Sequence, residues 1–205
     1  MELKRDQYAN EITRALVDDD FLASLVEGVH PKRQERETRE MASQVLQVIA
    51  EDQPARLMPY RDTFYAYLQG SNAFSKMVCV YCIAGLALAG LEDQFDQNIA
   101  LYMSMMDDDS VMIASHCALN AGKIAVRFPS YEPAITDKFL QIESSHHKQG
   151  RKALIIAYIL EAFEGYAEHS TRFDEITAFV WRQLESSSPK AREAAAHFLS
   201  RFELH

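Results

Sequence analysis

Residues 77–91 read MVCVYCIAGLALAGL, with Lys76 before them and Glu92 after. The stretch carries no charge, and apolar or small side chains go all the way round any helix drawn through it. A helix that is apolar on every side has to be covered on every side. Spanning a bilayer takes about 20 apolar residues, so this stretch is too short for lipid and its cover must be protein. The expectation is an inner helix with helical neighbours on both flanks.

Outward from this helix the chain repeats itself. The unit is a helix with small residues, a polar turn, a second helix with bulky apolar residues, then an Asp or Ser turn. The first copy starts at Glu37, and Met41, Ala42, Val45, Leu46 and Ile49 form the apolar face of its first helix. After Pro54, a second helix is marked by Met58, Tyr60, Phe64, Tyr67 and Leu68, and Gly70, Ser71 and Asn72 stop it. The second copy has 77–91 and then 94–106. The third has 112–128 and a helix opening at Glu132 and Pro133, and the fourth has 151–164 and 173–184. Residues 190–202 form a lone first half-copy. Ahead of the copies, 4–17 and 21–29 are predicted as a helix pair, the second capped by Asp20 and stopped by Pro31. Aligning Leu46, Ile83, Leu119, Ile159 and Leu199 gives spacings of 37, 36, 40 and 40 residues.

The pattern resembles the HEAT-repeat, armadillo-like family of α-solenoids, whose period is about 40 residues. Two segments carry the likeness best. REMASQVLQVI from Arg39 and REAAAHFLSRF from Arg192 share Arg-Glu, Ala at the fourth position and Leu at the eighth. The resemblance spans about 37–202. It implies an all-α, right-handed α-solenoid of about four to five helix pairs in one domain. The divisions are an N-terminal pair over 1–36, four repeats over 37–189 and a capping helix over 190–205. One helix pair cannot bury its own apolar face, whereas stacked neighbours make a continuous core.

Composition agrees. Apolar residues make up 48% and charged residues 25%, and seven Gly and six Pro are few for 205 residues. The net charge of −9 opposes non-specific binding to nucleic acid, where phosphate repulsion must be overcome. Cys79, Cys82 and Cys117 are an odd number inside apolar stretches, which suits reduced thiols in a cytoplasm. The first sixteen residues are charged from Glu2 and lack the apolar run of a signal peptide.

No set of residues suggests catalysis, a cofactor or a metal. Cys79 and Cys82 form a CxxC, but a zinc site needs two more ligands. His116 reads as a bonded histidine at a helix contact. His146 and His147 read as solvated loop residues whose rings point apart. The acidic runs Asp18–Asp19–Asp20, Glu92–Asp93 and Asp107–Asp108–Asp109 fall at turns, where helix capping explains them. Trp181, the single tryptophan, lies one step from an apolar stripe and reads as core or rim.

The resemblance implies a non-enzymatic scaffold that holds a protein or peptide on a concave face lined by second helices, and the acidic net charge permits a basic partner. Helical phase nominates Asp62, Tyr65, Asp96, Asp174 and Glu175 for that face, with Tyr65 as an exposed anchor. The alternative is a HEAT-like DNA glycosylase or lyase, in which Asp62 would be a catalytic carboxylate at the bottom of a cleft. Nucleic acid is not the expected partner, nor is a membrane, and a homodimer that buries its own groove is a third possibility.

Overall fold

In a computed structural model, residues 3–30, 36–91 and 95–204 are described. The expected stop at Pro31, the basic residues Lys32 and Arg33, the pair Glu92–Asp93 and the helix start at Gln94 lie outside them. The described residues form helices and turns, with no strand among them. Their contacts divide the chain into two units, 1–98 and 99–205.

The first unit holds α1 (Ala9–Val17), α2 (Asp19–Gly28), α3 (Arg36–Asp52), α4 (Arg61–Leu68) and α5 (Ala73–Leu88). Helix α1 starts five residues later than its periodicity suggests. Residues before it are tied to α3 instead: the Lys4 amide donates to Gln44 at 2.9 Å, and Arg5 pairs with Glu51 at 2.8 Å and with Asp52. The cap of α2 is Asp18, not Asp20. Asp18 is extended, accepts from the Phe21 amide at 2.9 Å and also holds Arg14.

Helix α5 contains most of the stretch quoted above and is buried round most of its circumference, with Met77, Val78, Cys79, Val80, Cys82, Ile83, Ala84, Leu86 and Ala87 inside. Asn72 caps it by accepting from the Ser75 amide at 2.9 Å. It ends at Leu88, short of Leu91. Gly90 turns the chain with φ +69°, and the amides of Gly90 and Leu91 reach back to Ala87 and Leu86. That is the left-handed closure glycine favours. Helix α5 packs on α3 and α4. A Cβ on Gly85 would overlap the Ala50 carbonyl oxygen and lie 2.9 Å from the Ala50 Cβ, so the two backbones nearly touch.

Helix α6 (Phe95–Met103) crosses the boundary between the units. The second unit continues with α7 (Val111–Arg127), α8 (Glu132–Leu140), α9 (Gln149–Phe163), α10 (Phe173–Gln183) and α11 (Pro189–Arg201). The first helices stack: α7 lies along α9, and α9 along α11. A Cβ on Gly122 would come within 2.9 Å of the Ala162 Cα and closer still to its side chain. Rings lock the second helices on: Phe163 of α9 meets Phe139 of α8 at 5.5 Å and Phe179 of α10 at 6.0 Å, both edge to face. Such pairs add about 0.5–1.5 kcal/mol beyond area burial.

Candidate functional site

Four second helices begin with an acid in the first turn: Asp62 on α4, Asp96 on α6, Glu132 on α8, and Asp174 with Glu175 on α10. The unpaired amides at a helix start favour negative charge there by about 0.3–1 kcal/mol. This local effect alone accounts for an acid at that position in each copy. Partner binding needs, in addition, that the acids stay exposed and free of internal ion pairs.

They differ in this respect. The Asp62 side chain is 86% exposed and, among the described residues, pairs with the neighbouring Arg61 at 3.0 Å and no other cation. Asp96 and Asp174 are exposed and form no ion pair among the described residues. Glu175 is engaged: Arg172 donates to both its oxygens, at 3.0 and 2.8 Å, and these bonds hold its carboxyl below the usual range. Arg172 also pairs with Asp137 of α8.

Tyr65 is not a surface anchor. Only 8% of it is exposed. Residues 54–60 form a 3₁₀ segment, with Pro59 inside it, and α4 starts only at Arg61. The expected apolar positions Phe64 and Leu68 are buried, and the inward face of α4 is wide enough to take in Tyr65 beside them. Phe64, Tyr65 and Leu68 face inward, and Tyr67 is half-buried.

The same exposure counts against Asp62 as a catalytic acid. A carboxylate held protonated for acid chemistry needs burial in an apolar pocket, and Asp62 has water on most sides.

Other groups resolve as follows. Cys79, Cys82 and Cys117 are free and buried, and desolvation pushes each thiol up, away from the reactive thiolate. His116 is buried beside Tyr158, and burial lowers its pKa to about 4. The turn histidines are a correction. His147 is 7% exposed and bonds the Met106 carbonyl at 3.0 Å. Its ring lies 4.3 Å from that of His146, which reaches Asp109 at 3.2 Å. His147 is thus buried and joins two turns, whereas His146 is exposed, as expected of a loop histidine, and its ring stacks on that of His147 where the two were expected to point apart. Among the described residues no group of three or more His, Cys, Asp or Glu is placed to hold a metal ion.

One polar network links α8 to the start of α10. The Glu132 carboxylate accepts from Thr136 at 2.6 Å and Ser170 at 2.7 Å, and the Tyr166 hydroxyl lies 2.9 Å from Thr136. The Ser170 oxygen in turn accepts from the Arg172 amide at 3.1 Å. Burial pushes the Tyr166 phenol up, so it stays neutral. These bonds satisfy one another and leave little for a ligand.

Two clefts are small. One of about 190 Å³ is lined by Met106, Asp107, Lys138, Gln141, Ile142, Ser144 and Ser145, and its Lys138 and Asp107 pair with each other. The other, of about 170 Å³, lies among His30, Ala66, Tyr67, Gly70, Asn72 and Ser75. Pockets for drug-sized ligands start near about 300 Å³.

The architecture has a counterpart among solved structures. The designed armadillo repeat protein YIII(Dq)4CqI superposes with a TM-score of 0.60 over 96% of this chain and 91% of its own, at 12% sequence identity. The fold is an armadillo- and HEAT-like helical-repeat solenoid. No protein-family model and no curated protein matches the chain. The likeness of this solenoid to the designed one is therefore one of fold. No described helix of the solenoid is long and apolar enough to cross a membrane.

Sequence reasoning left one residue between core and rim. Trp181, read as core or rim, is 40% exposed on α10. The signal was present: Trp181 falls four residues before Glu185 and seven after Asp174, on the polar side of its helix.

Proposed function

We propose that this solenoid is a non-enzymatic interaction scaffold that binds a basic segment of another protein along its second helices. The supporting observation is the recurrence of exposed acids, free of long-range ion pairs, in equivalent first turns: Asp62, Asp96 and Asp174, on a chain of net charge −9. Glu175 contributes by fixing Arg172 and so leaving Asp174 uncompensated. Tyr65 has no part in the reading, since it is buried. The small clefts fit a partner that lies on a surface better than a ligand that enters a pocket. The buried free thiols suit a reducing compartment, in keeping with a cytoplasmic scaffold.

The test is capture from soluble cell extract on immobilised protein, eluted in salt steps and read for both protein and nucleic acid. The expected result is one or a few basic proteins, displaced by moderate salt and lost when Asp62, Asp96 and Asp174 are all changed to Asn. Binding that survives the triple substitution refutes the acidic face, and recovery of nucleic acid refutes the charge argument.

A further inference from the structure

The outer side of α10 carries a stripe with an exposed indole that helix-dipole effects do not explain. Asp174, Ala178 and Trp181 are spaced i, i+4 and i+7 along α10, Glu185 follows in the turn just past its end, and all four are exposed. Positions at this spacing lie along one line of a helix. At 1.5 Å per residue, Trp181 sits about 10 Å from Asp174 along the axis, and Glu185 comes four residues after it, beyond the helix end. Ala178, one turn before the indole, leaves its approach open.

Elsewhere the chain covers aromatic rings with its own cations. Lys190 lies 3.6 Å from the Tyr158 ring centre, Arg14 4.2 Å from Phe21 and Arg127 4.9 Å from Phe128. Tryptophan is the best such acceptor, yet no cation of the described residues lies over Trp181. Arg182, its neighbour, is drawn away: it pairs with Glu143 at 2.7 Å and lies over Phe179. Asp174 and Glu185 also form no ion pair among the described residues. An exposed indole without a cation, between two acids without partners, is complementary to a cation from outside.

We infer that the Trp181 stripe of α10 seats a basic segment of a partner protein, with one arginine or lysine side chain over the indole and others at Asp174 and Glu185. The inference rests on the scaffold reading and gives it an anchor.

Trp181 is the only tryptophan, so its emission reports on this stripe alone. The probe is a labelled hexapeptide of alternating Arg and Lys, with a Gly-Ser hexapeptide as control. Label anisotropy measures binding, and the unlabelled peptide is titrated against Trp181 emission. The basic peptide is expected to bind, to change Trp181 emission saturably and to lose affinity with salt. Trp181→Ala is expected to weaken binding about tenfold, as is Asp174→Asn with Glu185→Gln, each variant keeping its helical circular dichroism. If the peptide binds but Trp181 emission and the Trp181→Ala affinity do not change, the seat is refuted while the basic-partner reading stands. If the peptide does not bind the unaltered protein, both fall.

Discussion

Helices α5 and α10 are two solutions to the same problem of placing a helix in a solenoid. Helix α5 buries side chains round most of its circumference, and Gly85 brings its backbone against Ala50 of α3. Helix α10 fully buries only Ile176, Phe179, Val180 and Gln183, spaced i, i+3, i+4 and i+7, half-buries Phe173 and Thr177, and turns its opposite side to water. The first kind of helix has little surface to offer a partner, and its side chains serve stability. The second kind gives one face to the core, and its outer stripe is free to vary in charge and shape. Under the proposed function, stability and recognition fall to different helices of one chain.

Substitutions can break this division, and the largest effect is expected where the two kinds of helix meet. Phe163 of α9 is fully buried against Phe139 and Phe179. Phe163→Ala should lower unfolding stability by about 3–5 kcal/mol in urea titration, and a loss below about 1 kcal/mol would show that the second helices are not locked through this ring.

Acid sharpens the contrast next. His116 lies on a first helix, and burial holds its pKa near 4 against the ordinary 6.5. Below pH 6.5 the unfolded chain binds a proton that the folded chain resists, so stability declines as pH falls toward 4. The decline amounts to about 3 kcal/mol across that window. His116→Gln should flatten this part of the pH profile, whatever it does to absolute stability.

Gly85→Val places side-chain atoms into the Ala50 carbonyl and should cost about 1–3 kcal/mol, measured as a lower Tm. The smallest effect belongs to the free stripe. Trp181→Ala should change stability by less than about 0.5 kcal/mol while weakening the basic peptide. A large loss of stability there would mean that the outer face of α10 supports the core much as α5 does.

What could be read from sequence follows the same division. Helix α5 was legible because continuous apolarity admits one interpretation, and the period of 36–40 residues set the pairing of helices. Second helices were less legible because three of the four run into or out of 3₁₀ segments: Pro54–Tyr60 before α4, Ser104–Asp107 after α6 and Gln141–Ser144 after α8. Each such segment blurs where its helix begins or ends. Tyr65 was misplaced because the buried face of α4 takes it in beside the expected Phe64 and Leu68, whereas Asp62 of the same helix is exposed as expected. Asp174 and Glu175, on the uninterrupted α10, were placed correctly as exposed, although the i, i+3 spacing of Arg172 and Glu175, which carries their ion pair, was not weighed. His147 was missed because its partner is a backbone carbonyl 41 residues away, which no side-chain pattern announces.

The near contact of Gly85 with Ala50 also limits how such a chain can change in length. One residue inserted between Asn72 and Gly85 turns the rest of α5 by about 100° and brings a side chain to the point where only a hydrogen fits. The same holds for α7 ahead of Gly122. Insertions and deletions are then confined to the turns, and the drift of the repeat from 36 to 40 residues is a record kept in its loops.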